Sequence, residues 1–507
     1  LEERWLYEAT WECYLPLCDL LDRLASSGVH APFTLSVSPP LAAMLRDDLL
    51  CARFEDHLER LERLVTGTRR FLPSALADVL DFYRRRLAGV RAAWDRVGGD
   101  VLGALAAHAR AERVELWTSA ATHAYLPGLL GARASLRAQL RLGVAAFTRW
   151  SGAPPSGLWL PECAFDPAFE PELAAAGVAV TVLDAHGLDL ARPRPRLGAR
   201  APVLSPSGVA VFARDPEASE DVWSRRAGYP GDPVYRDFYR DLGFDLPEAA
   251  LDGEVGPAGT RVMTGLKLHR ITGPGDAKAA YNPDAAARLA RAHARDFVER
   301  RARALGEADG ADAIVVAPFD AELFGHWWFE GPVFLEEALV ALAESAAAGG
   351  PRPESLASNA ARRGALEVVE PAASTWGEGG FGDAWLGPKA AHLVRHVAHA
   401  ERAVLDALAR ARHAPPTSPR GRAIDQALVE LLLLEASDFA FMIWRSEMAE
   451  YAEARVRSHA SRAVRLARAA TKSELDADDI ALVDAVTHRD SLFADLRGEP
   501  LRAAFDP

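Results

Sequence analysis

Two carboxylates stand where their surroundings could support chemistry. Glu162 closes the short apolar run in "SGLWLPECAFDP", after Trp159, Leu160 and Pro161, and Asp320 closes "AIVVAPFD", just before His326, Trp327 and Trp328. The run Ile314, Val315, Val316, Ala317 has the character of a strand buried on both faces, as in parallel sheets connected by helices. Carboxylates at the ends of two different strands can converge at one mouth, which is what acid/base or nucleophile/acid chemistry on a glycosidic bond needs. Alone, a Glu after a strand would as readily cap the next turn.

Aromatic residues cluster beside these positions: Trp159, Trp327, Trp328, Trp223 in "DVWSRRAGYPGDPVYRDFY", and Trp376 and Trp385 in "STWGEGGFGDAWL". Indole faces stack on the apolar faces of sugar rings while their polar edges accept or donate hydrogen bonds. One tryptophan would mean core packing; several beside loop glycines suggest a ligand groove, with one or two left to the core.

Other candidates carry less. "GEGGFG" (377–382) satisfies GxGxxG, but it lies between two tryptophans at the start of an all-helical region, without the strand and βαβ context that gives the fingerprint meaning. His123 in "SAATHAYLP" and His326 could each orient a sugar hydroxyl or a carboxylate; no HExxH-type spacing exists, so neither a metal nor any other cofactor is expected. His186 and His269 suit structural roles better, and Cys163 suits packing, since nothing local marks it as an activated thiol.

The elements that must position these residues alternate. "FTLSVS" (33–38), "VELWTS" (114–119), "GLWLPE" (157–162), "VAVTVLD" (178–184), "VAVFARD" (209–215) and "AIVVAPFD" (313–320) are strand candidates, most of them separated by helical patterns. Such alternation favours an α/β fold with parallel pairing, barrel-like or doubly wound. Between the first two runs a helical stretch far longer than one crossover needs predicts a helical insertion over 41–110. Beyond 386 strand signals vanish, and 386–507 is expected to be an all-helical domain, with the catalytic part over 1–40 and 111–385.

At 507 residues the chain exceeds one compact core. A net charge of −13 disfavours nonspecific nucleic-acid binding. Four cysteines (Cys13, Cys18, Cys51, Cys163) make no disulfide framework. The opening "LEERWLYEATWECYLPL" is charged at once and lacks an apolar signal core. The most apolar helix candidate, "ALVELLLLEASDFAFMIW", is interrupted by Glu430, Glu435 and Asp438 and fits a buried helix, not a membrane span. A cytoplasmic protein without membrane or nucleic-acid partners, most simply a monomer, is the expectation.

Four motifs in order, "ATHAYLP" (121–127), "WLPECAF" (159–165), "APFDAELFGHWWFEGP" (317–332) and "STWGEGG" (374–380), resemble the spaced regions of glycoside hydrolase family 57. "VWS" with "GYPGD" (222–232) and the helical tail "ELLLLEASDFAFMIW" are most similar to its α-1,4-glucan branching group. The resemblance implies a distorted (β/α)7 TIM-like barrel with a helical insertion and a C-terminal helical domain, acting on α-glucans with retention and without a metal. By position it implies Glu162 as nucleophile and Asp320 as general acid/base. It also implies His123 near the covalently bound sugar and Trp223, Trp376 and Trp385 along the glucan groove, and Trp159, His326 and Trp327 are taken as substrate contacts beside them. A retaining mechanism would need the two carboxyl groups roughly 5 to 5.5 Å apart.

The segment "LEERWLYEAT" is similar to the stretch just after the family's His-x-His-x-Pro strand. Branching members carry a tyrosine at a loop tip in the region matching 184–208, where this sequence has none. An α-amylase or 4-α-glucanotransferase on the same scaffold, or a catalytically silent glucan-binding protein, is therefore the alternative to a branching enzyme of glycogen biosynthesis.

Overall fold

The computed structural model describes residues 2–251, 253–256, 259–273, 275–306 and 313–507. The chain forms two compact units. The first comprises Leu1–Phe33, Met44–Val114 and Asp215–Ser355; the second comprises Thr34–Ala43, Glu115–Arg214 and Leu356–Pro507.

Among the described residues the strands are β1 (Phe33–Ser36), β2 (Val114–Ser119), β3 (Leu158–Trp159), β4 (Val180–Leu183), β5 (Val203–Leu204) and β6 (Ala210–Ala213). They make two three-stranded sheets, ordered β1-β2-β3 and β4-β6-β5. β2 and β3 run parallel with Ser119 opposite Trp159, and β4 and β6 run parallel with Leu183 opposite Ala213. Parallel pairing agrees with the alternation of strand and helix along the sequence. β5, antiparallel to β6 within the Pro- and Arg-rich 184–208 segment, lies outside the expected runs.

The chain is thus α/β, but the expected (β/α)7 barrel is not closed among the described residues. Pro161 stops β3 after two residues, because a proline cannot donate to the ladder. The run 313–320, expected as a strand, forms neither strand nor ladder among the described residues. Its Val316 carbonyl accepts one bond from Asp215 N–H at 2.7 Å, and Pro318 has no N–H to extend the pairing.

Helices Asp48–Thr68, Ser74–Val97 and Val101–Arg110 occupy most of the predicted insertion. Their caps are local: the Asp47 and Asp100 side chains accept from Leu50 and Gly103 N–H, and Gly98 closes the second helix in a left-handed conformation. The C-terminal helices His392–Ala411, Pro419–Leu434 and Ala449–Thr471 enclose a core in which Ile424, Leu428, Leu431, Leu432 and Leu466 are fully buried. Each such side chain contributes about 1.5–3 kcal/mol over exposure.

The apolar stretch "ALVELLLLEASDFAFMIW" departs from the single buried helix expected of it. It is two helices, Pro419–Leu434 and Ser437–Arg445, with an elbow at Glu435 and Ala436. Ala436 leaves the helical region (φ −55°, ψ 130°) and bridges to Ala124. No helix among the described residues is long and apolar enough to cross a membrane.

Candidate active site

In the second unit, the turn after β3 carries Glu162 in an unusual backbone state. Glu162 (φ 62°) and Cys163 (φ 51°) are consecutive left-handed residues, and His123 after β2 is another (φ 56°). Each such non-glycine residue costs on the order of 1–3 kcal/mol and persists only where its surroundings over-determine it. Here they do. The Glu162 carbonyl accepts from Trp376 N–H at 3.2 Å and from Thr375 Oγ1 at 2.7 Å, while Phe165 and Ser374 bridge antiparallel. Cys163, fully buried, has its thiol pushed well up by burial and directs Sγ at the Val182 carbonyl, 3.5 Å away, which is packing and not nucleophilic activation.

The carboxylate of Glu162 is held at both oxygens. Ser437 Oγ donates to Oε1 at 2.7 Å and Trp376 Nε1 donates to Oε2 at 3.0 Å. His123 Nδ1 lies 3.0 Å from Ser437 Oγ and 3.9 Å from Glu162 Oε1, and the His123 carbonyl accepts from Ser437 N–H at 3.0 Å. Trp159, half-buried, packs against Trp376 at 5.1 Å between ring centroids. Arg214 lies over the Trp376 ring and is paired with Asp184 at 2.6 Å. Trp385 is only 3% exposed, stacked between Tyr125 (4.8 Å, 8°) and Phe441 (6.4 Å, 24°), and abuts Gly377, where a Cβ would sit 2.4 Å from the indole.

The glycine-rich loop 377–382 is pinned rather than poised for a nucleotide. His186 Nε2 donates to the Gly380 carbonyl at 2.8 Å and its Nδ1 meets Asp184 at 2.9 Å, so His186 serves structure, as its context suggested.

Behind His123 and Ser437 lies a buried amide. Gln139, fully buried, accepts from Thr122 N–H at 2.9 Å and donates to Glu435 Oε2 at 2.8 Å. It therefore ties the residue before His123 to the elbow before Ser437. Burial pushes Glu435 from its ordinary 4.5 up to about 8. Between those values the folded chain keeps a proton the unfolded chain has lost, so stability falls as pH rises from about 4.5 to about 8 and is flat above. Glu435→Gln is expected to remove that slope. Melting at pH 8 should rise relative to wild type by on the order of 2–4 °C, with little change at pH 5, in a pH series of thermal scans. Parallel curves for the two proteins would refute it.

In the first unit, Asp320, half-buried, precedes the turn Ala321–Leu323. The next residues separate by burial: Trp328 is 2% exposed and packs on Phe334 and Tyr235, whereas Trp327 is 42% exposed and faces Trp223 at 5.7 Å. Gly325 makes this possible, since at φ 131° a Cβ would stand 1.9 Å from the Glu12 carbonyl oxygen. His326 Nδ1 lies 2.8 Å from Glu12 Oε2 and 3.7 Å from Glu8.

Glu12, fully buried, pairs with Arg236 at 2.6 Å, and Arg236 lies over the Phe329 ring. Burial alone would raise Glu12, but Arg236 and His326 outweigh it and hold the carboxyl near 2. Glu8 is pushed up to about 7 by burial and by Glu12. Glu8, Glu12 and His326 bring ligand-type atoms within 4.8 Å of one another, as do Glu430, His459 and Asp490. In each group a guanidinium already supplies the positive charge, Arg236 on Glu12 and Arg462 on Asp490 at 3.0 Å, so a cation would compete with an existing ion pair. His269, buried, sits 3.5 Å from Asp245.

Glu162, His123, Trp159 and Trp376 therefore gather in the second unit around Ser437, while Asp320, His326, Trp327 and Trp223 belong to the first. Sequence reasoning missed Ser437, Gln139, Glu12 and Arg236. For Ser437 a signal existed: a Ser-Asp pair after Glu-Ala inside an apolar run is a helix-start pattern. The others are partnered across the sequence and leave no local mark.

The second unit thus sets a carboxylate on a strained turn, after a short parallel strand and among indoles, within an α/β chain. Residues 1–348 match the pattern of "Glycosyl hydrolase family 57", and the chain belongs to that family. Residues 396–499 match that of "1,4-alpha-glucan branching enzyme, C-terminal". The chain is 33% identical to the 1,4-alpha-glucan branching enzyme of Thermococcus kodakarensis, over 97% of this chain and 74% of the relative. Among solved structures it is similar to an alpha-amylase from Thermotoga maritima (TM-score 0.88, 32% identity, 100% of this chain and 95% of the other). It is also similar to the family 57 branching enzyme of Pyrococcus horikoshii (TM-score 0.86, 29% identity, 99% and 92%).

Proposed function

We propose that the protein is a retaining 1,4-α-glucan branching enzyme. The observation that carries this reading is the Glu162 carboxylate, both oxygens of which accept hydrogen bonds from Ser437 and Trp376, in a chain whose C-terminal region matches the branching-enzyme pattern. Glu162 attacks the anomeric carbon of an α-1,4-linked glucosyl unit as Asp320 protonates the leaving 4-oxygen, which frees one chain end and leaves a glucosyl ester. Asp320, now a carboxylate, takes the proton of an incoming 6-hydroxyl. That oxygen forms the new bond to the anomeric carbon as the bond to Glu162 breaks, so configuration is retained through two inversions.

His123, beside Glu162, is placed to bind the covalently held sugar, and Trp159 and Trp376 to pack against it. Trp223 and Trp327 form a pair on the first unit suited to stacking a further glucose ring, and His326, held at Nδ1 by Glu12, is taken as a substrate contact beside them. Trp385, covered on both faces, contributes to the groove by backing the 377–382 loop. The distorted (β/α)7 barrel is part of the same reading, supported by the parallel β2–β3 and β4–β6 pairs, with 41–110 as its insertion and 386–507 as its helical domain. Four free thiols fit a reducing cytoplasm, where the product would be a glycogen-like polymer.

The likeness to an alpha-amylase favours one second reading, hydrolysis, as does the lack of a tyrosine in 184–208. Linkage analysis of products from amylose separates the two. New α-1,6 linkages with loss of the iodine complex are expected. Reducing sugar without branches would mean that water, not a 6-hydroxyl, intercepts the ester.

A further inference from the structure

We propose that Ser437 is a positioning residue for the reaction: its hydroxyl, oriented by His123, fixes one oxygen of Glu162 and through it the line of attack. This rests on the reading of Glu162 as nucleophile. The direction of each bond is set by the donors available. An ionised carboxylate only accepts, so the single hydroxyl proton of Ser437 is committed to Glu162 Oε1 at 2.7 Å. His123 Nδ1, 3.0 Å from the same Oγ, must then be the donor to it. The relay runs His123 Nδ1–H to Ser437 Oγ–H to Glu162. In its neutral form His123 is therefore the Nδ1–H tautomer and offers Nε2 as an acceptor, suited to a sugar hydroxyl donor.

The placement is built and not incidental. Ser437 is 2% exposed, its amide is bonded to the His123 carbonyl, and Ala436 before it bridges to Ala124 after His123. One backbone crossing, the Ser437 N–H bond that forms the Ala124–Ala436 bridge, and one side-chain contact thus clamp the start of helix Ser437–Arg445 to the turn bearing His123. Without this clamp the left-handed turn at Glu162 would keep its backbone bonds to Thr375 and Trp376 but lose the donor that sets the carboxylate rotamer. A charge-assisted bond is strongest to the free carboxylate, so Ser437 also favours its release when the ester breaks.

The test is steady-state kinetics on the full chain. Ser437→Ala is expected to lower kcat by on the order of 10- to 100-fold with KM changed less than about threefold, since the loss falls on the reacting carboxylate. Ser437→Thr, which keeps the hydroxyl, should restore most of the lost kcat.

A Ser437→Ala enzyme with wild-type kcat, or one whose loss falls on KM instead, overturns the proposal, and so does a loss that Ser437→Thr leaves unrestored while its melting temperature matches wild type. Glu162→Ala run alongside distinguishes the two levels. Turnover surviving that change overturns the nucleophile assignment itself; turnover abolished there but unaltered in Ser437→Ala overturns the relay alone.

Discussion

Glu162→Gln is expected to lower kcat by about 10⁴-fold or more, with the protein still folded, because an amide cannot form the glucosyl ester on which the retaining route depends. The change is nearly isosteric, yet it is not silent in the site. A carboxylate accepts from both Ser437 Oγ and Trp376 Nε1, whereas an amide must turn its NH₂ toward one of these donors. Glu162→Ala avoids that conflict and leaves a space where a small anion can act. Azide should restore measurable turnover to it and give a glucosyl azide of inverted configuration, since only one displacement then occurs. Glu162→Gly adds a structural check. At φ 62° glycine carries no left-handed penalty, so this inactive variant should melt no lower than Glu162→Ala. Wild-type turnover by Glu162→Gln on amylose would refute the assignment.

Asp320→Ala should cost about 10²- to 10⁴-fold in kcat on amylose, the range for loss of one general acid/base. The loss should depend on the leaving group, which a merely structural role would not produce. A glucoside with an activated aryl leaving group needs no proton to depart, so its first step should be nearly spared and the glucosyl ester should accumulate as a burst. Added azide, which needs no deprotonation, should speed its turnover and yield an azide of retained configuration. This is opposite to the outcome for Glu162→Ala. Equal loss on both kinds of substrate would remove Asp320 from the acid/base role.

Much of this chain is legible one segment at a time. β1, β2, β4 and β6 lie within the predicted runs because short β-branched stretches bounded by polar residues have few other uses. The helical periodicities of 48–110 and of the tail hold for the same local reason. Where local rules compete, the sequence is less legible. Pro161 and Pro318 allow extended backbone while denying it a ladder, so β3 is two residues long and 313–320 has none among the described residues. The stretch from Ala427 to Trp444 is apolar enough to continue as one helix; the Ser-Asp pair at 437–438 marks a second start, and the break falls at Ala436, which bridges to Ala124.

Residue type and order by themselves determined the family, the two acidic candidates and the run of indoles, because each of these is a matter of which side chain comes after which. The tertiary structure decided what each side chain does with its neighbours. It set Trp327 out and Trp328 in, covered both faces of Trp385, paired Glu12 with Arg236, and brought Ser437 to Glu162 from a helix hundreds of residues later. The reason is range. Periodicity and turn chemistry act over a few residues, whereas hydrogen bonds, ion pairs and backbone strain at the site depend on distances of about 3 Å between groups whose order along the chain says nothing of their separation in space.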